Sequence, residues 1–265
     1  MPAQLLTLYR RRMRLLAGYP RELIVPLATP VLFALIIAPA LQKALGSFNP
    51  SVDYMTFVAI ATVALLVPLN SMFSGISVFV DRERGALREL LAAPLPRWLV
   101  PFGNVLATLT ITALQVTVLV VVAVVRGATL STSAAGLAWF AAAALLLAAT
   151  VAGIAEILVF RLRSQEEYVG LTPAVAIIPW FFAGSLFPIS VLPSGLAGFA
   201  KVLPTTHALA LMRYGLVGGG STGLEAIWGH HPQALLAAAS LAVVAGSTAL
   251  LFVVATRVFR RSALP

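Results

Sequence analysis

Six apolar runs follow one another along the chain with only short gaps between them. Each is about as long as a helix needs to cross a bilayer core, roughly 20 residues. The first extends from about Leu23 to Leu41, the second from Tyr54 to Val80, the third from Phe102 to Val125 and the fourth from Ala135 to Phe160. A fifth starts near Tyr168 and is interrupted by Pro188 and Pro193, and a sixth covers Ala234 to Val254. No other feature constrains the fold as strongly. In lipid the backbone must bond to itself within each segment, so these runs predict an all-α integral membrane protein with six transmembrane helices. Pro26 and Pro30 in the first run are tolerable there because neighbouring helices can satisfy the freed carbonyls. Composition agrees: 60% of residues are hydrophobic and 10% charged, against about 45–50% and about 25% in soluble domains. The chain has no cysteine, which excludes a disulfide scaffold and thiolate chemistry.

The formal charge of +9 is not the footprint of a nucleic-acid-binding face, which needs basic residues clustered on a folded surface. The arginines instead fill the gaps between apolar runs. With six spans both termini share a side, and the gaps on that side hold fourteen of the eighteen basic residues. These are Arg10, Arg11, Arg12, Arg14 and Arg21, then Arg82, Arg84, Arg88 and Arg97, then Arg161 and Arg163, and finally Arg257, Arg260 and Arg261. Lys43, Arg126, Lys201 and Arg213 fall on the other side. The bias predicts cytoplasmic termini. The excess of arginine over lysine, together with the many alanines, suggests a GC-rich bacterial genome and hence a bacterial plasma membrane. Within residues 1–20, Leu5, Tyr9, Met13 and Leu16 recur at helical spacing while Arg10, Arg11 and Arg14 point elsewhere. That pattern predicts an amphipathic helix in the cytoplasmic interface, and without a cleavage signature it does not read as a signal peptide.

Chemistry is sparse. Neither Lys43 nor Lys201 follows a glycine, so the chain lacks a phosphate-cradling loop and is not expected to hydrolyse ATP itself. His207, His230 and His231 lack metal-ligand spacing, and no metal or cofactor is expected in this chain. Glu156 is the one acid within a predicted span; helical rise puts it about 7.5 Å from Arg161. An ion-coupled carrier would be expected to hold more such groups. Polar residues form stripes on two spans: Asn104, Thr108, Thr112 and Gln115 on the third, and Asn70, Ser74 and Ser77 on the second. Such stripes serve packing within the chain, a surface along which a substrate moves, or a dimer seam. Asn70, Ser74, Thr108, Thr112, Gln115 and Glu156 are the pathway candidates. Between the second and third spans, Arg84 to Ala93 reads as a short amphipathic helix, with Leu87, Leu90 and Leu91 on one face and Arg84, Arg88 and Glu89 on the other. Pro94 and Pro96 stop it.

The run Asp81-Arg82-Glu83-Arg84-Gly85-Ala86-Leu87, with Ala93-Pro94 beyond it, resembles the cytoplasmic loop of ABC-2 type exporter permeases; Ala86 and Arg88 stand where Thr and Glu are commoner. A second stretch, Phe182-Ala183-Gly184-Ser185-Leu186-Phe187-Pro188 through Pro193 to Leu203-Pro204-Thr205-Thr206-His207-Ala208-Leu209 and Arg213, is similar to the segment that precedes the last span in that family. The resemblance covers nearly the whole chain and implies a single ABC-2 type transmembrane domain over 1–265. It implies that the 81–97 loop is a coupling helix seated in an ATP-binding subunit, through Arg82, Glu83, Arg84, Gly85, Leu87, Arg88, Glu89, Leu91 and Pro94. Segment 184–214 would form re-entrant half-helices before the last span, marked by Gly184, Phe187, Pro188, Pro193, Pro204 and Arg213. The implied partners are two copies of a cytoplasmic ABC ATP-binding subunit that binds ATP and Mg, a second permease (identical or homologous) and membrane lipids, with no nucleic acid. The implied function is export of hydrophobic or amphipathic substrates such as drugs, antibiotics or lipid-like molecules. An ion-coupled carrier or channel, or a membrane assembly factor that transports nothing, are the alternatives.

Overall fold

The structure, a computed structural model, describes residues 2–18, 54–93, 98–125, 132–217 and 222–262, with Pro96 and scattered positions between 28 and 43. Most of the first expected span, including Pro26 and Pro30, lies outside the described residues, as does Pro94. The side chains of Leu16, Leu87, Arg88 and Leu91 also lie outside them.

Every regular element among the described residues is helical. In chain order they are α1 (Pro2–Gly18), α2 (Tyr54–Glu83), α3 (Ala86–Ala92), α4 (Leu99–Val125), α5 (Ala134–Arg161) and α6 (Gln165–Phe182). A 3-10 turn at Ile189–Val191 leads to α7 (Ser194–Ala200), α8 (Pro204–Val217), α9 (Leu224–Trp228) and α10 (Gln233–Ser262). Four of these helices, α2, α4, α5 and α10, are long and apolar enough to cross a membrane. They coincide with the second, third, fourth and sixth apolar runs. α6 begins where the fifth was expected but carries Glu166 and Glu167 in its first turn and is not among the four.

α5 lies at the centre, packed against α2, α8 and α10. Its alanine-rich sequence lets neighbours approach closely, the usual way helices associate in lipid. A Cβ at Gly153 would lie 3.2 Å from the Leu251 Cβ on α10. The Thr150 and Thr248 hydroxyls bond at 2.8 Å, and one turn or more beyond them Phe160 meets Phe259 edge-on at 5.1 Å. These contacts keep a nearly constant sequence offset, so α5 and α10 run parallel. α6 runs antiparallel to α2 and is fixed at two heights. The buried Tyr168 hydroxyl donates to the Met72 carbonyl at 2.6 Å, and the Trp180 indole N–H donates to the Ala61 carbonyl at 2.7 Å. Gly75 makes room for the first of these: a Cβ there would stand 2.1 Å from the Tyr168 hydroxyl oxygen.

α2, α5 and α10 therefore end at the level where α4 and α6 begin, and their arginines gather at one end of the bundle. α1 lies against α4 at that end, where Leu8, Leu99, Val100 and Phe259 form a small core with Leu90 of α3 packed on it. The buried face of α1 differs from the expected one. Leu8 and Arg12 are buried, whereas Leu5, Tyr9 and Met13 are half-buried. The helix rests on protein: Gly103 lets Leu8 close to within contact, and Asp81 draws Arg12 inward.

Two boundaries also move. α2 runs on through Asp81, Arg82 and Glu83, and α3 starts at Ala86 instead of Arg84, because no helix breaker precedes Gly85. The fifth apolar helix ends at Phe182, well before Pro188 and Pro193. Gly184, at φ 80°, turns the chain there, while Pro173 and Pro179 are accommodated inside α6.

Candidate functional site

The segment expected to meet a partner begins at the last turn of α2. Gly85 adopts φ 79°, a conformation open to glycine without steric cost. Its N–H bonds to the Arg82 carbonyl at 3.3 Å, so α2 closes and α3 leaves in a new direction. Glu83, Arg84 and Glu89 are exposed on this turn, and none of them forms an ion pair among the described residues. Arg82, two positions before Arg84, points the other way. Its guanidinium donates to the carbonyls of Val159 and of Leu162, the latter at 3.2 Å, and lies 4.4 Å from the centroid of the Phe79 ring. It thereby satisfies carbonyls left open at the end of α5, where a cation also complements the helix dipole.

Asp81 binds α1. Arg11 and Arg12 reach it at 3.3 and 3.2 Å, and Arg12 also bonds to the Ser77 hydroxyl and the Ser74 carbonyl. Arg12 is 5% exposed, so this ion pair is shielded from solvent. At the same end Ser164 caps α6 by accepting from the Glu167 N–H at 3.2 Å. Hydrogen bonds from its own backbone N–H and from the Ser164 hydroxyl hold the exposed Glu166 carboxyl below the usual carboxylate range.

Above Asp81 the two polar stripes face each other. Asn70 bonds to Gln115, the Thr108 hydroxyl donates to Ser74 at 2.9 Å, and the Asn104 amide donates to Glu156 at 3.1 Å. The result is a polar seam between α2 and α4 that ends on the Glu156 carboxylate of α5. Thr112 belongs to the same stripe and is fully buried. Three buried atoms on this seam, Thr112 Oγ1, Gln115 Nε2 and Glu156 Oε2, have no hydrogen-bond partner among the described residues. The six pathway candidates thus meet inside one chain. Hydrogen bonds of this kind between membrane helices contribute about 0.6–2 kcal/mol each.

At the opposite end the structure brings Gly184 and Arg213 together. The Arg213 guanidinium donates to the Gly184 carbonyl at 2.9 Å and the Ser185 carbonyl at 3.4 Å, and it stacks 4.0 Å from the centroid of Phe57. Pro204 opens α8, a position where its missing N–H costs nothing. Pro188 and Pro193 flank the 3-10 turn, and Phe187 is exposed. His207 bonds to the Lys201 carbonyl at 2.9 Å and to Ser240 at 3.2 Å. Because the carbonyl can only accept, Nε2 carries the proton and Nδ1 accepts from Ser240. Among the described residues no three His, Asp or Glu side chains converge as a metal site would require.

Arg12 and Tyr168 are the contributors that pattern reading missed. Arg12 sat in a run of arginines without distinction, and Tyr168 stood at the polar edge of the fifth apolar run with no pattern to mark it.

A family described as ABC-2 type transporter matches residues 3–217. The chain is also similar to a probable multidrug ABC transporter permease, YbhR, of Escherichia coli: 24% identical over 166 residues, 60% of this chain and 43% of that protein. It is 27% identical to the putative transport permease ycf38 of Porphyra purpurea, over 79% of this chain and 69% of the relative. ABC transporter G family member 20 of Dictyostelium discoideum is 24% identical over 68% of this chain, and the match covers 24% of its own length. The chain thus spans less than half of the Escherichia coli relative.

Proposed function

The chain belongs to the ABC-2 type transporter family, and from that premise we propose that it is the membrane permease of an ATP-driven exporter. In this reading the first expected span joins α2, α4, α5, α6 and α10 to give six crossings with cytoplasmic termini in a bacterial plasma membrane, and α1 lies in the cytoplasmic interface. Segment 184–214 is the re-entrant element on the outer side. Two cytoplasmic subunits bind ATP and Mg, and a second permease completes the complex.

The observation that carries the reading is the turn at Gly85. It presents Glu83, Arg84 and Glu89 outward at the arginine-rich end, while Asp81 and Arg82, in the same stretch, tie that turn to α1 and α5. ATP binding would move α3, and the motion would pass through these ties into the bundle. The ligand must bind the two states differently for such coupling to work. As α2 and α4 part, the seam of Asn70, Ser74, Thr108, Thr112, Gln115 and Glu156 would meet a hydrophobic or amphipathic substrate, a drug, antibiotic or lipid-like molecule.

Co-purification with the ATP-binding subunit, followed by ATPase and transport assays, tests this. Glu83→Ala with Glu89→Ala is expected to lower substrate-stimulated ATPase on the order of tenfold or more, as truncation of interface anchors does. Unchanged stimulation, or a purified complex without an ATPase, would sink the reading. Glu156, a buried acid with one oxygen unbonded among the described residues, is the observation on the side of the ion-coupled carrier, although such a carrier would be expected to hold more groups of this kind. Transport that stops when the proton gradient collapses while ATP persists would decide for that alternative.

A further inference from the structure

The end of α10 combines two chemistries on one exposed face. Leu250 and Val253 are 65% and 43% exposed. Arg257, Arg260 and Arg261 continue the same stripe and are exposed as well. Steps of three and four residues join positions 250, 253 and 257, and Arg260 and Arg261 lie three and four residues beyond Arg257, so the five share one side of the helix. The opposite face is buried: Ala255, Val258 and Phe259 turn into the bundle. None of the three arginines forms an ion pair among the described residues, although Asp81, Glu83, Glu89, Glu166 and Glu167 share this end of the bundle.

A second observation sets the level of the stripe. Phe252 meets Phe102 of α4 edge-on at 5.6 Å, and Phe102 meets Trp98 at 5.9 Å. α4 and α10 are antiparallel here, so Trp98, one turn before Phe102, stands level with about residue 256. Trp98 is 40% exposed, and exposed tryptophans of membrane proteins concentrate where acyl chains give way to headgroups. The apolar half of the stripe therefore lies on the acyl side of that level and the three guanidinium groups on the headgroup side. α5 ends at the same height with Arg161 and Arg163 exposed, yet residues 151–160 have no exposed side chain. It offers charge without a surface for an acyl chain.

We propose that the α4–α10 edge is a binding site for an anionic phospholipid. Arg257, Arg260 and Arg261 hold the phosphate, and Leu250, Val253 and Trp98 line the chain. Guanidinium groups suit phosphate oxygens through paired hydrogen bonds, and basic residues beside a membrane helix attract anionic lipid. The site does not depend on transport activity and stands if the exporter reading fails.

Native mass spectrometry of the full chain, released from detergent with equimolar phosphatidylglycerol and phosphatidylcholine, tests it. The expected result is retention of phosphatidylglycerol about tenfold or more over phosphatidylcholine, weakening as salt rises from low to several-fold above physiological strength. Arg257→Gln with Arg260→Gln and Arg261→Gln should abolish the preference, and the corresponding triple lysine variant should keep most of it. Arg161→Gln with Arg163→Gln should change it less than about twofold, since these charges lack the apolar surface. Glycerol phosphate without acyl chains should not compete. Absence of a lipid preference, its survival in the triple glutamine variant, or full competition by glycerol phosphate each overturns the proposal. Loss of the ATP-binding subunit from the triple glutamine variant with lipid retention unchanged would also overturn it, assigning the arginines to a protein contact.

Discussion

Arg82 and Arg84 stand two positions apart in one charged run and do different work. Arg82 closes the end of α5 through the Val159 and Leu162 carbonyls, whereas Arg84 is exposed. Arg82→Met is expected to lower stability by about 1.5–3 kcal/mol, the range for hydrogen bonds to a charged group. Arg84→Met should stay within about 0.5 kcal/mol, as surface changes do, and should act on ATPase coupling alone. Denaturant or thermal unfolding of the two variants side by side separates these roles. The Tyr168–Gly75 contact is a second local lock. Gly75→Ala forces a methyl into the Tyr168 ring and should cost about 1–3 kcal/mol. Tyr168→Phe removes the nearest atom, so the double variant should be more stable than the sum of the single losses predicts. Simple additivity in that cycle would refute the contact.

Among the elements, α3 depends on its entry and α1 on its anchor. Space around Gly85 is open, with nothing within 4 Å of a Cβ placed there. Gly85→Ala therefore meets only the backbone cost of positive φ, about 1–2 kcal/mol. Gly85→Pro fixes φ near −65° and redirects α3 altogether, so ATPase stimulation should fall far more than for the alanine variant. Equal effects of the two would argue against a role for the direction of α3. α1 is tied by Arg12 to Asp81, Ser74 and Ser77. Arg12→Met leaves Asp81, among the described residues, with the half-exposed Arg11 as its cation, and the loss should stay below about 3–5 kcal/mol, the cost of a buried charge left wholly unpaired. Amide exchange across residues 2–18 should accelerate by tenfold or more, while Arg10→Met, exposed on the same helix, should leave it unchanged.

At the scale of the whole molecule, orientation has a direct test because the chain has no cysteine. Ser164→Cys, at the arginine-rich end, is expected to react with an impermeant maleimide only after the membrane is opened. Ser133→Cys and Ser194→Cys, at the other end, should react in intact cells. The reverse pattern would invert the topology. Four spans were legible because an apolar run long enough to cross is a local property, and α2, α4, α5 and α10 fall where the runs do. The polar stripes were legible as well, since period alone puts Asn104, Thr108 and Gln115 on one face. Their counterparts were not, for a stripe does not state which helix it meets. α1 shows the same limit: its apolar spacing pointed to Tyr9 and Met13, yet Leu8 and Arg12 are the buried pair.

What the sequence by itself determined is residence in the membrane, four helices long and apolar enough to cross it and the gathering of arginine at one end. Hydrocarbon and headgroups act on each segment separately, through length, hydropathy and charge. Only the tertiary structure decided that Arg12 pairs with Asp81 across 69 positions, that Arg82 caps α5, and that the Glu156 carboxylate ends a seam begun at Asn70. Between helices already in lipid, apolar surface selects no particular neighbour. Close packing of small residues and reciprocal hydrogen bonds make that choice, and both depend on the rotation of one helix against another.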